Sequence, residues 1–129
     1  MITTINEWKQ INESNDRYLE LTNMYIDLAT KNGITKEDGI YDCHEWVSIV
    51  EESENVEVFL FDEEKEDNFY AINNELDKKF NIQYFEWTAG HSFIKHDGIY
   101  IDLALYSEGI DYNKIQKIDE YLSKINMFY

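Results

Sequence analysis

The sequence predicts an α+β domain in which helices pack on a small antiparallel sheet of about four strands. Apolar residues recur at helical spacing near both ends of the chain, and β-branched and aromatic runs occupy the middle. An Asp-Gly pair separates two of those runs. With 129 residues, of which 43% are hydrophobic, the chain is long enough to bury a core. We therefore expect one domain that spans residues 1–129.

The first third of the chain predicts two helices. A polar run at residues 13–16 is expected to interrupt the first helical pattern, and a second helix then continues to about Lys31. Gly33 supplies the stop for this second helix. A short third helix is expected from His44 to Glu52, with Trp46 and Val47 on its apolar side.

The rest of the chain predicts four strands and two helices. The expected strands are Val56–Phe61, Ile82–Trp87, Gly90–His96 and Ile99–Leu105, and the expected helices are Asn68–Phe80 and Tyr112–Ile125. The acidic run at residues 62–67 is expected to form a solvated loop. An Asp-Gly pair at Asp97-Gly98 predicts a two-residue turn between the last two strands.

The predicted hairpin places His91 and Asp102 on one face of the sheet. Side chains alternate between the two faces along each strand, and the turn fixes how the strands pair. His91 and Asp102 then become diagonal neighbours, roughly 7–8 Å apart at the backbone. We expect the imidazole and the carboxylate to hydrogen-bond across this gap. The opposite face, which carries Ile94 and Ile101, is expected to face the core.

Cys43, the only cysteine, is the candidate nucleophile. It lies at the predicted start of a helix, where the helix dipole and unpaired N–H groups favour a thiolate and can stabilise an oxyanion. Asp102 would orient His91, and His91 would act as general base towards the thiol. The alternative is structural: a lone cysteine is often a small buried hydrophobe, and a histidine beside an aspartate is often only a satisfied polar pair.

Three segments resemble the transglutaminase-like superfamily of cysteine enzymes. The stretch Tyr41–Val47, which reads Tyr-Asp-Cys-His-Glu-Trp-Val, resembles the nucleophile motif. Residues Gly90–Lys95 and Asp97–Asp102 resemble the strands that carry the histidine and the aspartate. A more distant similarity is to cell-wall peptidases of the NlpC/P60 type, in which Asp-Cys opens the helix but Ser-Gly follows. The resemblance extends from Gly39 to Leu103.

This resemblance implies a papain-like or transglutaminase-like core and the catalytic set Cys43, His91 and Asp102. The activity that it implies is that of a small cysteine hydrolase or acyltransferase, which cleaves an amide or ester bond of a peptide or protein substrate. An inactive member that keeps the fold is equally compatible with the pattern. No cofactor is expected, and no metal, because His96 lies on the opposite face from His91 and no metal-ligand spacing is present.

The net charge of −16 at pH 7 limits the partners of the chain. It argues against direct contact with nucleic-acid phosphates, which are bound through Lys and Arg. The charge serves solubility, or it forms a surface for a basic protein partner. The second possibility gives an alternative function, that of an acidic binding or inhibitor protein of the immunity or anti-defence type. Without an apolar run of about 20 residues, we expect no membrane segment and a cytoplasmic location.

Overall fold

The computed structural model describes residues 5–37, 39–60, 69–81 and 91–124. In chain order its elements are α1 (Ile5–Lys31), α2 (Cys43–Ser48), β1 (Val56–Phe59), α3 (Phe69–Phe80), β2 (Phe93–His96), β3 (Ile99–Ile101), α4 (Leu103–Ser107) and α5 (Tyr112–Lys124). The three strands of these ranges form an antiparallel sheet in the order β1-β2-β3. The predicted α+β class is therefore confirmed. The predicted strand at Ile82–Trp87 and the predicted loop at residues 62–67 lie outside the described residues.

The first helix, α1, is continuous, so the predicted interruption at residues 13–16 was wrong. No glycine or proline breaks this stretch, and polar residues alone do not end a helix. The helix ends as predicted at Gly33, which adopts a left-handed φ of 75°. Its N–H donates to Thr30 O at 3.1 Å, and the N–H of Ile34 donates to Ala29 O at 2.9 Å. These two bonds form a Schellman motif.

The hairpin has the predicted register. Ile94 pairs with Ile101, and Lys95 pairs with Tyr100. Both turn residues have positive φ, 51° at Asp97 and 79° at Gly98, as a two-residue turn between twisted strands requires. The turn chemistry of the sequence was therefore sufficient to fix the pairing of β2 with β3.

The last strand is shorter than predicted, because β3 ends at Ile101 and α4 begins at Leu103. Asp102 ends the strand and caps the helix, since its Oδ1 accepts the N–H of Leu105 at 3.0 Å. Leu103, Ala104 and Leu105 are all buried. Burial on every side removes the alternation that distinguishes a strand from a short buried helix.

Both faces of the hairpin are buried, whereas only the face with Ile94 and Ile101 was expected to meet the core. Phe93 is fully buried and Tyr100 is 7% exposed on the other face. Helices α1 and α5 both pack against β3. The central part of the hairpin therefore lies inside the fold.

The outer edge of β3 is covered by a side chain of α5. Gln116 Oε1 accepts the N–H of Tyr100 at 2.8 Å, and Gln116 Nε2 donates to Tyr100 O at 2.7 Å. The amide of Gln116 thus replaces the next strand of a ladder. It satisfies an edge that would otherwise expose unpaired backbone groups.

Candidate active site

Cys43 is the first residue of α2 and is partly exposed. Asp42 caps this helix: its Oδ1 accepts the N–H of His44 at 2.9 Å and that of Glu45 at 3.2 Å. The helix thus begins one residue earlier than predicted and ends at Ser48 rather than Glu52. The two capped N–H groups are already paired, and the cap carries a negative charge. The N–H groups of His44 and Glu45, which were expected to stabilise an oxyanion, are therefore engaged by the cap in this structure.

His91 and Asp102 are in direct contact. His91 Nε2 is hydrogen-bonded to Asp102 Oδ2, and both side chains are fully buried. His91 lies just before β2, and Asp102 lies between β3 and α4. Because Asp102 also caps α4, the backbone of that helix fixes the carboxylate against the imidazole.

Cys43 is one of the groups that act on His91. Burial alone would lower the pKa of His91, but the charge of Asp102, the hydrogen bond with Asp102 and the nearby side chains of Asp119 and Cys43 raise it well above its ordinary value. Three segments of the chain thus carry the thiol, the imidazole and the carboxylate. The raised pKa favours the imidazolium form of His91.

Asp119 is a fourth member of this cluster, and the sequence analysis did not identify it. It projects from α5, is fully buried, and places Oδ1 3.7 Å from His91 Nε2. Burial, followed by the charge of Asp102, raises its pKa well above the ordinary value, although His91 opposes the shift. A signal was present: Ile115, Ile118 and Leu122 form the buried stripe of α5, and position 119 falls within it.

A second polar contact joins the same two segments. His44 Nδ1 and Ser92 Oγ are 2.7 Å apart, and Ser92 is fully buried. His44 follows Cys43 in the sequence, and Ser92 follows His91. The contact therefore ties the start of α2 to the segment that carries the imidazole.

Tyr18 approaches the cluster from α1. It is 2% exposed. Burial, together with the charges of Asp102 and Asp119, raises its pKa. Its ring packs against that of Tyr112 at a tilt of 50°, with a centroid separation of 5.0 Å. Tyr18 thus joins α1 to the start of α5 beside the two carboxylates.

The cluster resembles a cation site in composition but not in spacing. One ligand atom each from His91, Asp102 and Asp119 lies within 4.8 Å of the others. Ligands of one small cation lie about 3 Å or more apart, since each metal bond is about 2 Å long. His91 and Asp102 are instead in direct hydrogen-bond contact. We interpret the group as one that shares protons.

The remaining histidine is directed elsewhere. His96 Nδ1 lies 2.8 Å from the hydroxyl of Tyr25 on α1, on the sheet face opposite His91. This separation agrees with the predicted faces of the hairpin. His96 therefore serves as a matched control for experiments on His91.

No protein-family model matches the chain, and no curated protein or solved structure matches it either. Within the part of the chain that the structure describes, no helix combines the length and apolar character needed to cross a membrane. The functional argument therefore depends on the geometry of the cluster.

Proposed function

We propose that this chain is a small cysteine hydrolase or acyltransferase of the transglutaminase-like or papain-like kind. The observation that carries the proposal is the buried pair of His91 and Asp102, in which Cys43 is among the groups that raise the pKa of His91. A thiol, an imidazole and a carboxylate in that order form the activated-thiol arrangement of cysteine enzymes. Because Asp102 engages Nε2, the proposal requires Nδ1 to serve Cys43.

The raised pKa of His91 favours its imidazolium form, and the proposal pairs this form with a thiolate at Cys43. In this proposal the thiolate attacks the carbonyl carbon of an amide or ester, and the carbonyl π electrons move to oxygen. The intermediate collapses, the carbon–nitrogen or carbon–oxygen bond breaks, and His91 gives its proton to the leaving group. An acyl-thioester and a neutral imidazole result.

The second half-reaction restores the starting state. Water or an amine attacks the thioester while neutral His91 accepts its proton, and the carbon–sulfur bond breaks to regenerate the thiolate. Asp102 holds the ring in one orientation through both steps. Hydrolysis and acyl transfer differ only in which acceptor arrives. The substrate class that we propose is a peptide or protein.

The first prediction concerns the reactivity of Cys43. Iodoacetamide should label Cys43 rapidly at pH 7, because the thiolate and not the thiol is the nucleophile. His91→Gln should slow labelling by about tenfold or more, since an unassisted thiol is only a few per cent ionised at pH 7. His96→Gln on the opposite face should label at the wild-type rate. The rates are read by mass spectrometry, and circular dichroism verifies that each variant is folded.

Because the chain has one cysteine, the label reports a single site. Labelling of the wild type no faster than that of a simple thiol, or an unchanged rate in His91→Gln, would contradict the proposal. A second readout uses an activated ester such as p-nitrophenyl acetate. It should acylate Cys43 and release one equivalent of p-nitrophenol, and Cys43→Ser should abolish this release.

The acidic surface supports a second candidate function, that of a binding protein for a basic partner. Glu51, Glu52 and Glu54 in the short segment that connects α2 to β1 are all exposed, as is Glu57 in β1. Such a surface speeds the encounter with a positively charged protein. Cys43 has no part in this function, so an inert Cys43 in the labelling experiment favours it.

A further inference from the structure

The buried cluster holds more acid than its one base can neutralise. His91, Asp102 and Asp119 are each fully buried. Asp102 occupies His91 Nε2 directly, and Asp119 Oδ1 stands 3.7 Å away. Among the described residues, neither carboxylate oxygen of Asp119 has a hydrogen-bond partner. An acid placed so close to another acid, without a donor, requires an explanation.

Asp119 lies on α5, which packs against β3 and α3, and the groups that act on its charge come from other segments. Asp102 at the start of α4 and His91 before β2 act on its charge directly. Tyr18 from α1 is influenced by both carboxylates. Cys43 from α2 acts on the pKa of His91. The one cation of this set is the imidazolium of His91.

One imidazolium neutralises one carboxylate. Asp102 receives that compensation because it makes the direct contact and also accepts the N–H of Leu105. A second ionised carboxylate in the same buried space would stay uncompensated, which is costly in a medium of low polarity. Two carboxyl groups that share one site avoid this by keeping one proton between them.

We propose that Asp119 is a positioning residue that keeps its own proton at neutral pH and donates it to Asp102. The cluster of His91, Asp102 and Asp119 then has no net charge: one imidazolium, one carboxylate and one neutral acid. Burial and the nearby charge of Asp102 raise the pKa of Asp119 in the direction that this state requires.

The consequence for catalysis rests on the proposed function. The Asp119 proton gives Asp102 a third partner, beside Leu105 N–H and His91, and so restricts the plane of its carboxylate. When Asp119 loses this proton at alkaline pH, the extra negative charge holds the proton on His91 more tightly. Transfer of that proton to a leaving group then becomes harder.

The test uses the infrared carbonyl band of a protonated carboxylic acid. The wild type at pH 7 should show one such band, and Asp119→Asn should lose it. Glu120→Gln is the matched control, since it removes an exposed carboxylate from the next position of α5. This control should keep the band. Absence of the band in the wild type at pH 7, or its persistence in Asp119→Asn, would overturn the proposal.

Labelling of Cys43 tests the positioning role. Asp119→Asn should label at the wild-type rate at pH 7, because the amide N–H replaces the carboxyl O–H as donor to Asp102. Asp119→Leu removes the donor and should slow labelling by about tenfold, the factor that corresponds to one pKa unit. Equal rates in the Asn and Leu variants would count against this role.

The enzyme proposal and the shared-proton proposal can be rejected independently of each other. The infrared band does not depend on Cys43, so a band assigned to Asp119 together with an inert thiol would reject the enzyme and retain the shared proton. A thiol that depends on His91, together with no band, would reject the shared proton and retain the enzyme. If Asp119→Leu does not fold, the infrared comparison of the Asn variant still decides the protonation state.

Discussion

The two carboxylate oxygens of Asp102 have different roles: one contacts His91 and the other caps α4. Its Oδ2 is hydrogen-bonded to His91, and its Oδ1 accepts the N–H of Leu105 as the cap of α4. Two substitutions separate these roles. An asparagine keeps a cap oxygen but presents an N–H group to the imidazole, whereas an alanine removes both contacts.

We expect Asp102→Asn to retain the cap of α4 and to lose the effect of the carboxylate on His91. Its amide forces Nε2 of His91 to become an acceptor, so the ring no longer pairs with a thiolate, and labelling of Cys43 should fall to the rate of His91→Gln. Asp102→Ala should also lose the cap, at a cost of about 1 kcal/mol in the free energy of unfolding. Urea denaturation and iodoacetamide labelling measure the two effects.

Asp111 provides the control for the cap. Its Oδ1 accepts the N–H of Lys114 at 3.0 Å on an exposed part of α5. Asp111→Ala should lose a similar stability and leave labelling unchanged. If Asp102→Asn labels as fast as the wild type, the carboxylate is a helix cap without a role in orienting His91.

The contact of Gln116 with β3 is the clearest tertiary feature at the scale of elements. A side chain of α5 satisfies both backbone groups of Tyr100 at the sheet edge. The same helix carries Asp119, so the bond also fixes the register of α5 against the hairpin. The position of the buried acid thus depends on a contact at the sheet edge.

Gln116→Ala should destabilise the fold by about 1–3 kcal/mol, because a part-buried N–H and C=O of Tyr100 lose their partners. Gln116→Glu should be at least as damaging, since a carboxylate would face the Tyr100 carbonyl. Lys117→Ala, at an exposed neighbouring position, should stay within about 0.5 kcal/mol of the wild type. Urea denaturation gives the free energies, and hydrogen exchange should show faster exchange at the Tyr100 amide. Unchanged exchange there would contradict the edge-cap role.

The features that the sequence could predict are those with a local signal, such as a turn or a helix stop. The left-handed residues Asp97, Gly98 and Gly33 each left a turn or stop signal that the structure confirms. α4 could not be predicted in this way, because a five-residue helix buried on every side has no periodic pattern. The role of Gln116 is equally invisible in the sequence, since only the folded chain brings it to Tyr100.

The same distinction between local signals and tertiary contacts applies to the candidate site. His91 and Asp102 were placed on one face by the turn alone, and the structure has them in contact. The approach of Cys43 is a tertiary event, for which the sequence offered only a helix start and a resemblance. Asp119 carried a readable signal, an acid inside an apolar stripe, but its partners lie on other elements.

At the scale of the whole molecule, one electrostatic effect acts at the surface and a second acts in the buried cluster. The net charge of −16 makes the surface repel itself. Inside, His91 and Asp119 both have raised pKa values. The folded state therefore binds more protons than the unfolded chain, between the ordinary and the raised pKa of each group. Both effects make the protein less stable as protons are removed.

Salt and pH should separate these effects. Surface carboxylates are already ionised at pH 6, so surface repulsion changes little from pH 6 to 9, and 1 M salt should raise stability by a similar amount across this range. The buried groups should instead make the free energy of unfolding fall as the pH rises. His91 contributes stability below its ordinary pKa and loses it as the pH rises through the raised value, and Asp119 follows the same direction. Each proton adds a slope of up to about 1.4 kcal/mol per pH unit. Urea denaturation of the wild type and of the double variant His91→Gln, Asp119→Asn measures the difference. The double variant should show a flatter pH dependence at either salt concentration. Equal slopes in the two proteins would mean that the buried cluster binds no extra proton on folding.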